Sequence, residues 1–74
     1  MDRYEITLDA EIGERRCRDL GCERLAATAP GTSRLSTPPL DQAGLHGLLR
    51  SVRDAGLGLV AVSRIPHDPH GGPR

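Results

Sequence analysis

The chain has no Trp, no Phe and one aromatic residue, Tyr4. Its interior must therefore be built from Leu, Ile, Val and Ala, whose side chains each bury less area than an aromatic ring. It also has no Lys: its ten cations are all Arg, balanced by ten acids to a formal net charge of zero. We read the all-Arg set as a coding bias toward G and C. Neutral charge and scarce aromatics exclude a single-strand nucleic-acid binder, which needs a basic groove and a stacking platform. No apolar run approaches the length of a membrane span. The N-terminal MDRYEITLDAE is acidic and alternating, unlike a signal or transit peptide. The expected compartment is the cytoplasm.

Seventy-four residues make one domain at most. A domain this small buries a modest share of its surface and usually needs a staple or a partner. With an all-aliphatic core, self-association is the expectation.

Tyr4, Ile6, Leu8, Ala10 and Ile12 alternate with Glu5, Thr7, Asp9 and Glu11, the period of a half-buried strand that Gly13 ends. Glu14 to Gly21 reads either as a short helix, with Cys17 and Leu20 inward and Gly21 as its stop, or as a plain loop. Glu23 to Ala29 alternates weakly, Pro30-Gly31-Thr32 signals a turn, and Arg34 to Thr37 returns as a partner strand before Pro38-Pro39.

Asp41 is placed to cap a helix. Leu45, Leu48, Leu49 and Val52 follow at helical spacing, with Gln42, His46, Arg50 and Arg53 on the other face. Gly44 and Gly47 read either as a cost of roughly 1 kcal/mol each in helix propensity or as small residues that let this helix approach a sheet closely, and Gly56 as its left-handed stop. Leu59 to Ile65 is the last strand, with Val60 and Val62 on one side and Leu59, Ala61 and Ile65 on the other. A strand apolar on both faces is expected to be central in its sheet or covered twice. Pro66 closes it. The expected organisation is one α+β domain over 1–66 and a disordered tail over 67–74.

This order describes a reduced ferredoxin-like β(α)ββαβ fold: a four-stranded antiparallel sheet with one main helix on one face. One helix leaves the other face uncovered, and Leu59, Ala61 and Ile65 predict that part of it is apolar.

YEI at Tyr4 to Ile6, DQAGLHGLL at Asp41 to Leu49 and RDAGLGLVAVSRI at Arg53 to Ile65 resemble a group of short, mostly uncharacterised actinobacterial proteins. Members begin with a Tyr-Glu-Ile strand and carry an Asp-Gln-Ala-x-Leu-His-Gly-Leu-Leu helix. The likeness spans about residues 4 to 66 and is specific in its second half. Relatives often place Trp and Phe after the first strand, where this chain has ERRCRDLGCE. The resemblance implies the fold and no activity.

Chemical candidates are few. Cys17 and Cys22 form a C-x4-C pair, a redox couple or half a zinc site in one reading, and in the other one buried cysteine acting as a small hydrophobe beside one incidental thiol. His46 has no acid one helical turn away to orient it, since Gln42 and Arg50 occupy those places, so a structural or surface role is expected ahead of a general base or a partner contact. His67 and His70 look like ligands only by composition. Arg15, Arg16, Arg18 and Arg24 are interleaved with Glu11, Glu14, Asp19 and Glu23, the pattern of a solvated surface. No serine has a nucleophile-elbow context. No catalytic residue, metal or cofactor is assigned.

The leading expectation is a small non-catalytic interaction or regulatory domain, a homo-oligomer or protein binder through a sheet face or edge, using Leu59, Ala61, Ile65 and His46. The alternative is a tiny dimeric α+β-barrel enzyme, of the cyclase or cofactor-free oxygenase type, acting on a small apolar metabolite through His46 or Tyr4. A pocket of roughly several hundred Å³ lined by the first and last strands would mark it. A third reading is a thiol sensor built on Cys17 and Cys22. Neither nucleic acid nor membrane is an expected partner, and the sequence names no small-molecule ligand.

Overall fold

Alternating apolar residues place β1 (Tyr4–Leu8) at the middle of one sheet. The remaining elements follow as α1 (Glu14–Asp19), β2 (Arg24–Ala29), β3 (Thr32–Ser36), α2 (Gln42–Asp54) and β4 (Leu59–Arg64). The computed structural model describes residues 1–65, with 27 and 28 described through their backbone alone. The expected tail, its histidines and Pro66 lie outside the described residues. The strand order is β2-β3-β1-β4 with every neighbouring pair antiparallel, the ferredoxin-like α+β arrangement.

Ile6 stands opposite Leu35 on one side and Val62 on the other, and Leu35 opposite Leu25, so these four share a face. Leu48 and Val52 of α2 and Cys17 of α1 join Ile6, Leu8 and Leu35 in one buried cluster, so both helices cover that face. Glu5, Thr7, Arg34, Ser36, Arg24, Ala61 and Ser63 occupy the other. Arg34 reaches Glu5 across it at 3.6 Å. The uncovered face is therefore mostly polar, and of the three apolar residues expected there Ala61 and Ile65 lie on it while Leu59 does not. Ile65 is half-buried there against Arg3, Arg24 and Ser36.

Two differences from the sequence reading have local causes. The first strand ends at Leu8, not Ile12. The buried Ser33 hydroxyl accepts from Ile12 N–H at 3.0 Å and donates to Ala10 C=O at 2.7 Å, drawing the chain out of the ladder. A register shift between Thr7 and Leu8 sets Leu59 opposite Leu8, on the helix side, while Ala61 stays opposite Thr7. Leu59 is therefore not on the open face. A bulge moves side chains from one face to the other, and periodicity alone does not reveal it.

The last strand is not central. β4 pairs with β1 alone, and all six of its residues are exposed. Its exposed Leu59, Val60 and Val62 mark a bare edge, not a doubly covered strand.

Helix α2 begins where expected: the Asp41 side chain accepts from Gly44 N–H at 2.7 Å. A Cβ at Gly44 would lie 3.1 Å from Asp41 Oδ1 and 3.3 Å from Leu40 Cδ2, so this glycine makes room for the cap. Gly47 faces open space and brings no sheet closer. Gly47→Ala should raise stability by about 1 kcal/mol, the helix-propensity difference. Asp41→Ala should lower it by about 1 kcal/mol, the usual loss of a capping side chain. Urea unfolding of the two variants beside the wild type checks both signs.

Candidate functional site

Cys17 and Cys22 are both buried, at 3% and 7% exposure, and their thiols are close enough to shift each other's titration. The backbone explains why they meet. Cys22 N–H donates to Cys17 C=O at 3.0 Å, Gly21 N–H donates to Arg18 C=O at 2.9 Å, and Gly21 has φ +89°. This is a Schellman stop, in which the second residue past the helix packs on the one five positions before it. The end of α2 repeats it: Leu57 N–H donates to Val52 C=O at 3.2 Å, Gly56 N–H to Arg53 C=O at 3.0 Å, and Gly56 has φ +76°. Cys17 and Cys22 thus occupy the places of Val52 and Leu57. The C-x4-C spacing is the spacing of an apolar staple.

The electrostatics agree. Burial, then the neighbouring Cys17, push the Cys22 thiol from its ordinary 9.0 up to about 12. Burial also raises Cys17, opposed in part by the neighbouring Cys22. A redox or metal-binding cysteine needs a thiolate, and this site disfavours one. Among the described residues no three metal-capable side chains gather.

The second candidate region is β4 with the flank of α2. Ile65 N–H donates to Arg3 C=O at 2.9 Å. By strand alternation Ala61 and Ser63 also turn their N–H groups toward β1, which leaves those of Val62 and Arg64 pointing off the sheet edge. Beside them Leu59, Val60 and Val62 are exposed at 48%, 61% and 36%. Between α2 and the start of β4 runs a groove of about 610 Å³. His46, Leu49, Arg50, Arg53, Leu57 and Leu59 line it, with no carboxylate in the lining among the described residues. His46 and Leu59 therefore meet in space, whereas Ala61 and Ile65 lie on the open side. Tyr4 is elsewhere, its N–H donating to the buried Thr37 hydroxyl at 3.0 Å.

Residues 3–63 match the family described as a domain of unknown function, DUF8691. The chain belongs to this family. No curated protein matches it. Among the described residues of this DUF8691 domain, no helix is long and apolar enough to cross a membrane.

Sequence reasoning missed two polar residues of this domain that hold β1 and its exit, Ser33 and Thr37, at 2% and 0% exposure. Their only signal was position: both lie on the inward parity of β3 with Leu35. It also missed the groove, because the pairing of Leu59 with Leu8 depends on the register shift.

The staple reading sets a pH dependence. A thiol whose folded pKa is raised stabilises the fold fully below its unfolded pKa and loses that contribution as pH rises toward the folded value. Stability of the DUF8691 domain should therefore be level from pH 7 to about 8.5 and decline from about pH 9 to 12. Cys22→Ala should flatten that decline relative to wild type. Burial and the raised pKa keep Cys22 a protonated, shielded thiol at about pH 7.5, so iodoacetamide should label native protein far more slowly than urea-unfolded protein. The double variant C17V/C22L, which copies the α2 pair, should fold with native amide dispersion.

Proposed function

We propose that this domain is a small non-catalytic interaction module that self-associates through the β4 edge. The observation carrying the reading is a full-length edge strand with outward backbone groups and exposed Leu59, Val60 and Val62. Unpaired edges of this kind add strands from another chain, and natural monomers block them with charge, proline or cover. The described part of β4 has one charge, Arg64, at its far end, where it reaches Asp2 at 3.7 Å. Two β4 strands pairing antiparallel about a two-fold axis would join two sheets into one of eight strands. Val60 and Val62 would then sit between the two helical layers. The open sheet face is mostly polar and takes no part. Free thiols fit a cytoplasmic setting.

The enzyme alternative called for a pocket between the first and last strands. The groove instead runs between α2 and β4, and its lining includes neither β1 nor Tyr4. No observation favours that reading over the module.

Light scattering on the eluting protein at tens of micromolar should give about twice the protomer mass of 7.9 kDa. The V60K/V62K variant should elute as a folded monomer, since paired lysines on an edge repel their own copies. In the dimer the Val62 amide should exchange with solvent at least about tenfold more slowly than in that variant. A wild type that stays monomeric to millimolar concentration defeats the proposal. A dimer whose Val62 amide exchanges freely defeats the edge geometry.

A further inference from the structure

We infer that the groove between α2 and β4 is a binding site for a small aliphatic carboxylate, of the size of a medium-chain fatty acid. The inference does not rest on self-association: Val60 and Val62, which carry the edge proposal, do not line the groove.

Three properties converge there. The floor is aliphatic: Val52 is fully buried beneath half-buried Leu49 and Leu57, with Leu59 exposed along the side. No aromatic ring is present to stack a flat ligand, so the surface suits a flexible alkyl chain. The volume, about 610 Å³, lies in the ordinary range of small-molecule sites.

The rim has one sign. The chain as a whole carries equal numbers of acids and cations, yet the groove's charged lining is Arg50 and Arg53, joined by His46. Arg53 is partly satisfied by Asp54 at 3.6 Å and by its place in the last turn of the helix. Arg50 has no carboxylate partner among the described residues, and His46 stands one turn before it on the same flank. A guanidinium beside an apolar trough complements a carboxylate that carries an alkyl tail: the head pairs at the rim while the tail covers Leu49, Leu57 and Leu59. An apolar alcohol would gain only the tail contacts, and an alkylammonium would meet like charge.

Methyl-detected NMR titration of the full chain with decanoate, decanol and decylammonium, each below its aggregation threshold, tests this. Decanoate should give saturable shifts at the methyls of Leu49, Leu57 and Leu59. Decanol should bind about tenfold more weakly, and decylammonium more weakly still. Arg50→Gln should erase the preference for decanoate over decanol, and Arg50→Lys should restore much of it. Arg50 is exposed, so both variants should keep native amide dispersion. The V60K/V62K variant, titrated in parallel, should bind decanoate as the wild type does, which separates failure of this site from failure of the edge.

No saturable shift, shifts centred elsewhere, or equal affinity for decanol and decanoate would overturn the assignment. So would groove shifts that appear only as the wild-type particle mass falls, because a second copy would then be the natural occupant.

Discussion

Two helices, of six and thirteen residues, must cover one face of a four-stranded sheet without a single large ring to extend their reach. Ile6, Leu8 and Leu35 on the two central strands are fully enclosed, and Leu48 and Val52 complete the seal above them. The cover ends there. Val62 shares the inward face with Ile6 yet is 36% exposed, on an edge strand that pairs with β1 alone. The bare edge and the groove are two consequences of the same shortage of covering area. An aliphatic core this small protects one pair of strands well and leaves its neighbour open.

The chain's turning points are handled by one repeated device. Both helices end in a glycine at positive φ followed by a core residue that folds back onto the last turn, Cys22 on Cys17 and Leu57 on Val52. Each stop satisfies carbonyls that the helix end would leave free and drives the next strand into the sheet. A thiol serves in one place and a branched aliphatic in the other because the position asks for a small apolar group, which a buried thiol supplies. A pair of cysteines at suggestive spacing is in this way a packing contact.

Much of this was legible in the residues. The alternation from Tyr4, the leucine spacing after Asp41 and the stop at Gly56 fixed two of the strongest elements, and their order with the central hairpin gave the sheet its expected fold. Three things were hidden for physical reasons. Strand order beyond the chain's own sequence depends on which edges meet, so β4 read as central or doubly covered when it is an exposed edge. A register shift at Thr7 and Leu8 carries Leu59 to the helix side, and a strict two-residue period cannot contain it. Ser33 drew no reading beyond its lack of a nucleophile context, yet its hydroxyl holds Ala10 and Ile12 in place of ladder bonds. The candidate residues consequently divided: His46 and Leu59 meet at the groove, while Ala61 and Ile65 face the polar side.

The two sheet edges differ in a way that bears on use. At the β2 edge Arg24 opens the strand, Pro30 follows its end, and no large apolar side chain is exposed among the described residues. On β4 lie three of the four large exposed apolar side chains among the described residues. Were exposure only the cost of a small core, it would be expected at both edges, since both lie equally far from the centre. It is instead gathered on the side that also carries the groove and its one-signed rim. Arg3 pairs with Glu23, Arg34 with Glu5 and Arg64 with Asp2, whereas the groove's charged lining is Arg50 and Arg53 with no carboxylate among the described residues. Apolar surface, outward backbone groups and unmatched positive charge coincide on one flank, and a flank of that composition is better matched to binding than to water.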